Sequence, residues 1–176
     1  MSYVAVYPLA TPDTPNKVLT HFDDIVSTLV EHGVGFDRWQ PSPLEKGASD
    51  AEMIAAYQSQ IDALGYGSAQ VLSVTGDHPQ RAELRAEGLK ARRYSADNVH
   101  FFIAGQGLFC LLVGEYVYAV RCEKNDVLVV PAGMPHWLDV GENPHCVALR
   151  LFHTAEGCVP RFTGEHSAAG FPGLDD

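Results

Sequence analysis

Four residues in one short stretch carry side chains that do chemistry. Arg92, Tyr94, Asn98 and His100 fall at even spacing. In an extended chain successive side chains point to opposite faces, so these four share one face while Arg93, Val99 and Phe101 take the other. A guanidinium on such a face holds a carboxylate or stabilises an enolate as it forms. An imidazole moves a proton near neutral pH, and a phenol donates a hydrogen bond or acts as an acid. Plainer readings stand beside these. Arg92 follows Lys90 and precedes Arg93, as in a solvated basic turn, and Tyr94 and Asn98 would serve as polar fillers bonded to each other inside a closed sheet. His21, His32, His78, His145, His153 and His166 are scattered over predicted helices and loops and receive no role.

The elements that must position these residues come in two kinds. Residues 19–32 and 50–64 have apolar residues at helical spacing, the second with Asp50 as its cap and Met53, Ile54, Tyr57, Ile61 and Leu64 on one stripe. From about Val99 the chain turns into short runs of Val, Phe, Tyr and Leu, punctuated by Gly105-Gln106-Gly107, Gly114, Lys124-Asn125-Asp126 and Pro131-Ala132-Gly133. Turn signals roughly every 8 to 12 residues, with no helical crossover between them, predict antiparallel strands in a closed barrel or jelly roll. The stretch after Phe162 reads as a loosely structured tail. Length, 176 residues with 46% apolar content, fits one domain. Twelve Lys plus Arg against 22 Asp plus Glu give a net charge of -10, which argues against nucleic acid as a partner. No leader pattern is visible and no run approaches the roughly 18 apolar residues of a membrane span, so a cytoplasmic protein, monomer or homodimer, is expected. Cys110, Cys122, Cys146 and Cys158 lack CxxC spacing and are expected to be free thiols.

The run Val99-His100-Phe101-Phe102-Ile103-Ala104-Gly105-Gln106-Gly107, then Cys122-Glu123-Lys124-Asn125-Asp126, then Val130-Pro131-Ala132-Gly133-Met134-Pro135-His136-Trp137, resembles the two cupin motifs of the acireductone dioxygenases. The likeness extends to Phe36-Asp37-Arg38-Trp39 and Asp77-His78-Pro79-Gln80 upstream, and to Ala148-Leu149-Arg150-Leu151-Phe152 and Phe162-Thr163-Gly164 downstream. It implies an all-β fold with N-terminal helices, a cupin (double-stranded β-helix, jelly-roll) barrel. The expected layout is a single domain over residues 1–176, helical to about 90, barrel core about 91–162, tail 163–176. The family oxidises an acireductone in methionine salvage with one iron or nickel ion, held by His-x-His, a Glu four residues on and a distant His.

In that frame the first three ligand positions hold Arg92, Tyr94 and Asn98, and only His136 survives. His100 stands where the family usually has a substrate-contacting Arg, and Arg150 matches a family Arg. A guanidinium does not deprotonate near neutral pH and repels a divalent ion at short range. The resemblance thus implies a degenerate metal site: a metal-independent acid–base enzyme with no cofactor, performing isomerisation, cyclisation, dehydration or decarboxylation on a small anionic or enolisable metabolite, in bacterial secondary metabolism. His136, His100 and Tyr94 are the expected catalytic residues, and Arg92, Asn98 and Arg150 bind substrate. Two other readings remain open: a non-catalytic small-molecule-binding paralogue, and a metal-dependent oxygenase with an Fe or Ni site rebuilt from His136, His100 and Asn98.

Overall fold

A computed structural model describes the backbone of residues 1–176 and the side chains of all but residues 165–167 and 169. Eleven strands form in chain order: β1 (Tyr3–Pro8), β2 (Lys17–Leu19), β3 (Gly35–Arg38), β4 (Ser68–Val74), β5 (Lys90–Arg93), β6 (Asn98–Val113), β7 (Tyr116–Glu123), β8 (Asp126–Val130), β9 (His136–Asp139), β10 (Cys146–Phe152) and β11 (Arg161–Ser167). Every recorded pairing is antiparallel, and the strands lie in the orders β2-β1-β7-β6-β9-β5-β11 and β3-β8-β6-β10-β4.

β6 belongs to both layers. Its first half pairs with β8 and β10, its second with β7 and β9. The change of layer falls at Gly105, whose φ of 73° lies in the left-handed region and whose Cα faces the carbonyl of His145 with no room for a side chain. Of three apolar clusters, the largest includes Val4, Phe102, Phe109, Val120, Leu128, Val130 and Ala148. Helix α1 (Phe22–Val30) adds Ile25 and Leu29 to it. Cys110, Cys122 and Cys146 are buried free thiols, as expected, and Cys158 is a half-buried one.

Four expectations need correction. The segment from residue 50 is two short helices, α2 (Asp50–Ala56) and α3 (Gln58–Ala63), broken at Tyr57. Ser49, not Asp50, caps it, in a capping box with Glu52. The first ninety residues are not only helical: β1 pairs with β7 and β4 with β10, so early strands complete the sheets. The tail is ordered as β11 and a turn at Ala168–Gly170, then returns to donate the Leu174 amide to buried Asp139 at 3.0 Å. A further helix, α4 (Arg81–Gly88), packs beside β9 and β5. No helix among the described residues is long and apolar enough to cross a membrane.

Candidate active site

Between the layers a cavity of about 180 Å³ is lined by polar and apolar walls. Tyr94, His100, His136 and Arg150 supply the polar wall. Strand pairing explains their meeting: Arg150 on β10 lies opposite His100 on β6, and His136 on β9 lies beside both Arg92 on β5 and Leu111 on β6. Leu72 and Val74 of β4, Phe109, Leu138 and Val140 form the apolar wall, and Leu84, Glu87 and Gly88 of α4 complete the lining. A Cβ on Gly88 would come within 2.7 Å of the Leu138 carbonyl, so the glycine lets α4 sit close on β9.

The hydrogen bonds set the tautomers. Met134 O only accepts, so His136 donates through Nδ1 at 2.9 Å and keeps its lone pair on Nε2. Asn98 Nδ2 reaches Ala96 O at 3.5 Å, which turns Oδ1 toward His100 and makes Nε2 of His100 the donor across 2.6 Å. The two imidazole centres are 6.4 Å apart. Burial pushes His136 down to about 4; the Met134 carbonyl opposes this, while the Arg92 and Arg150 guanidiniums add to it. His100 is held well below its ordinary value by burial first, then by Arg150 and His136. Both rings are therefore neutral at pH 7. Arg150 donates to the Tyr94 hydroxyl at 2.7 Å and lies over the Phe152 ring.

The expected site residues meet only in part. Tyr94, His100, His136 and Arg150 share the cavity. Asn98 is fully buried behind His100, outside the lining, where it orients the ring and is not placed to touch a ligand. Arg92 lines the cavity, yet its guanidinium bonds to the carbonyls of Glu87 and Lys90 and stacks over Phe162 at 5.0 Å. It thereby caps the C-terminal end of α4. Sequence reasoning missed the linings from β4 and α4; the run Ala82-Glu83-Leu84-Arg85-Ala86-Glu87, rich in strong helix formers, was the available signal for the latter.

An antiparallel jelly roll with polar groups converging on its lumen defines a cupin. The sequence pattern described as "ARD/ARD' family" matches residues 6–160. Proteins named acireductone dioxygenase from Pseudomonas savastanoi pv. phaseolicola and Pseudomonas syringae pv. syringae are each 56% identical, with the whole of both chains covered. One from Pseudomonas aeruginosa strain PAO1 is 51% identical over the same extent. Among solved structures, the acireductone dioxygenase of Bacillus anthracis, with a cadmium ion in its active center, superposes with a TM-score of 0.77 at 23% identity, over 92% of this chain and 98% of that one, which supports the fold. This chain belongs to the acireductone dioxygenase family.

Two expectations fall on these findings. The reading as a metal-independent acid–base enzyme is overturned by full-length relatives named as dioxygenases. The expectation of no cofactor falls with it, since a family member carries a metal ion in its active center. What the replaced residues establish is narrower. No three His, Cys, Asp or Glu side chains converge among the described residues, and the lumen offers two neutral imidazoles beside the Arg150 guanidinium, the carboxylate of its lining residue Glu87 being paired with Lys90 Nζ at 3.0 Å. The chain's own donors do not fit a resident ion of the four-ligand kind.

Proposed function

We propose that this chain is an oxygenase of the acireductone dioxygenase type, acting in the cytoplasm on a small enediol bound as its anion. The observation that carries this reading is the Arg150–Tyr94 pair, which presents positive charge to the lumen opposite two neutral imidazoles. Arg150 and the Tyr94 hydroxyl bind the anionic oxygen of the substrate and fix its orientation. His136 presents Nε2 to receive a proton from the enediol as it ionises. Binding an anion beside that ring raises its proton affinity from the depressed value, so the base works only when substrate is in place. His100, locked by Asn98, holds the opposite side. Leu72, Val74, Phe109 and Leu138 shield the ionised enediol from water, and dioxygen serves as the oxidant.

The test is oxygen consumption with an anaerobically prepared acireductone, with Fe(II) or Ni(II) supplied and with neither. Protein-dependent uptake that drops at least about 100-fold in His136→Ala supports the reading. No uptake above the buffer rate under any metal supply overturns it.

A further inference from the structure

Two guanidiniums line the cavity, and an enediolate accounts for one of them. Arg150 on β10 lies across from His100, and Arg92 on β5 lies across from His136. The positive groups therefore flank the imidazole pair at its two ends, the ring centres being 6.4 Å apart. Electrostatics agrees with this placement: after burial, the guanidinium that depresses His100 is that of Arg150, whereas on His136 Arg92 outweighs Arg150. Among the described residues neither guanidinium meets a carboxylate, since Glu87, the acidic residue of the lining, is paired with Lys90 Nζ at 3.0 Å. Both arginines are half-buried, where a positive charge without a counter-charge is costly. A monoanion held by Arg150 and Tyr94 leaves Arg92 uncompensated.

Arg92 keeps donors for a ligand. Its bonds to the Lys90 and Glu87 carbonyls use two of the five N–H groups of a guanidinium and leave three. Those bonds and the Phe162 ring, 5.0 Å away, hold the fork in place before a ligand arrives. A cavity of about 180 Å³ suits a small planar carboxylate, whose two oxygens match such a fork. We propose that Arg92 is a specificity-determining residue that takes a carboxylate of the substrate, so that this chain acts on an enediol bearing an acid group at its far end. The enediolate then lies on Arg150 and Tyr94, and the two ends of the ligand answer the two guanidiniums. The proposal deepens the oxygenase reading and rests on its enediol class.

Calorimetric titration of the full chain, with metal stripped by a chelating resin, tests it with pyromeconate and comenate, redox-inert enolones that share one hydroxypyrone ring and differ by a carboxylate. Comenate is expected to bind at least about tenfold more tightly than pyromeconate. In Arg92→Gln that preference is expected to fall below about twofold while pyromeconate binds as before, the sign that the cavity has kept its shape. Arg150→Gln is expected to weaken both probes and to leave their ratio in place, an outcome read whether or not the Arg92 variant folds. Equal affinity of the two probes overturns the proposal, as does no binding of comenate, a preference that survives Arg92→Gln, or one that disappears in Arg150→Gln. Oxygen uptake is read separately: its failure with the comenate preference intact sinks the oxygenase reading alone, and uptake without that preference sinks this inference alone.

Discussion

His136 uses its two ring nitrogens differently, one to hold the Met134 carbonyl and one to face the cavity. Its depressed proton affinity has a consequence for stability. The folded ring titrates at about 4, below its ordinary 6.5, so the unfolded chain binds the extra proton first as pH falls. Stability is fully present above about 6.5 and is lost as pH drops toward 4, by up to about 3 kcal/mol from this ring. In chelator-treated protein, His136→Asn is expected to flatten the fall in Tm across that window; an unchanged slope would place the acid sensitivity elsewhere. At the Tyr94 hydroxyl, Tyr94→Phe removes the acceptor of Arg150 and is expected to weaken binding of an anionic substrate about tenfold, read as KM. Even spacing puts Asn98 and His100 two residues apart on β6, and they do meet, but the Asn98 side chain is spent on the His100 ring and does not line the lumen; Tyr94 lies past the end of β5, so its place in the cavity does not follow from strand alternation.

Helix α4 covers the cavity, and its fastening lies outside the lining. Arg85 Nε bonds Asp139 at 3.0 Å, and that carboxylate, 2% exposed, also accepts from the amides of Gly141 and Leu174. The array holds its carboxyl below the usual range against the opposing effect of burial. Arg85→Ala is expected to cost about 1–3 kcal/mol and to raise KM as α4 loosens; chemical denaturation and steady-state kinetics read the two effects. The capping box offers a contrast remote from the cavity. Ser49→Ala should cost about 1 kcal/mol with activity unchanged, so a loss of turnover there would show that α2 bears on the site. Periodicity revealed α1 and the segment from residue 50, but the break at Tyr57 comes from tertiary packing: its ring meets Phe101 at 4.7 Å and its hydroxyl accepts from the Ser42 amide.

Across the whole molecule, the jelly roll hangs on the strand that serves both layers. Gly105→Ala places a side chain against the His145 carbonyl at a backbone angle that favours glycine, and is expected to destabilise by at least about 2 kcal/mol or to prevent folding. Recovery of soluble protein and its Tm decide this. The barrel was legible from turn signals and motif spacing, and the likeness to the family supplied the location of the lumen. β1 and β4 were not legible as barrel strands, because a run as short as Tyr3–Pro8 carries no mark of a partner far along the chain.

That distant pairing sets an order of events during synthesis. Tyr3 pairs with Arg121, and the Ser2 hydroxyl finds its acceptor, the buried carboxylate of Asp126, 124 positions later. A nascent chain therefore leaves the ribosome with an apolar strand that has only the three-residue β2 beside it, its other edge unpaired until most of the polypeptide has followed. Closure of so many remote contacts is slow, and the waiting strand is open to capture by other chains. Expression yield should depend more on translation speed and on chaperones that shield this N-terminal segment than on the stability of the finished barrel.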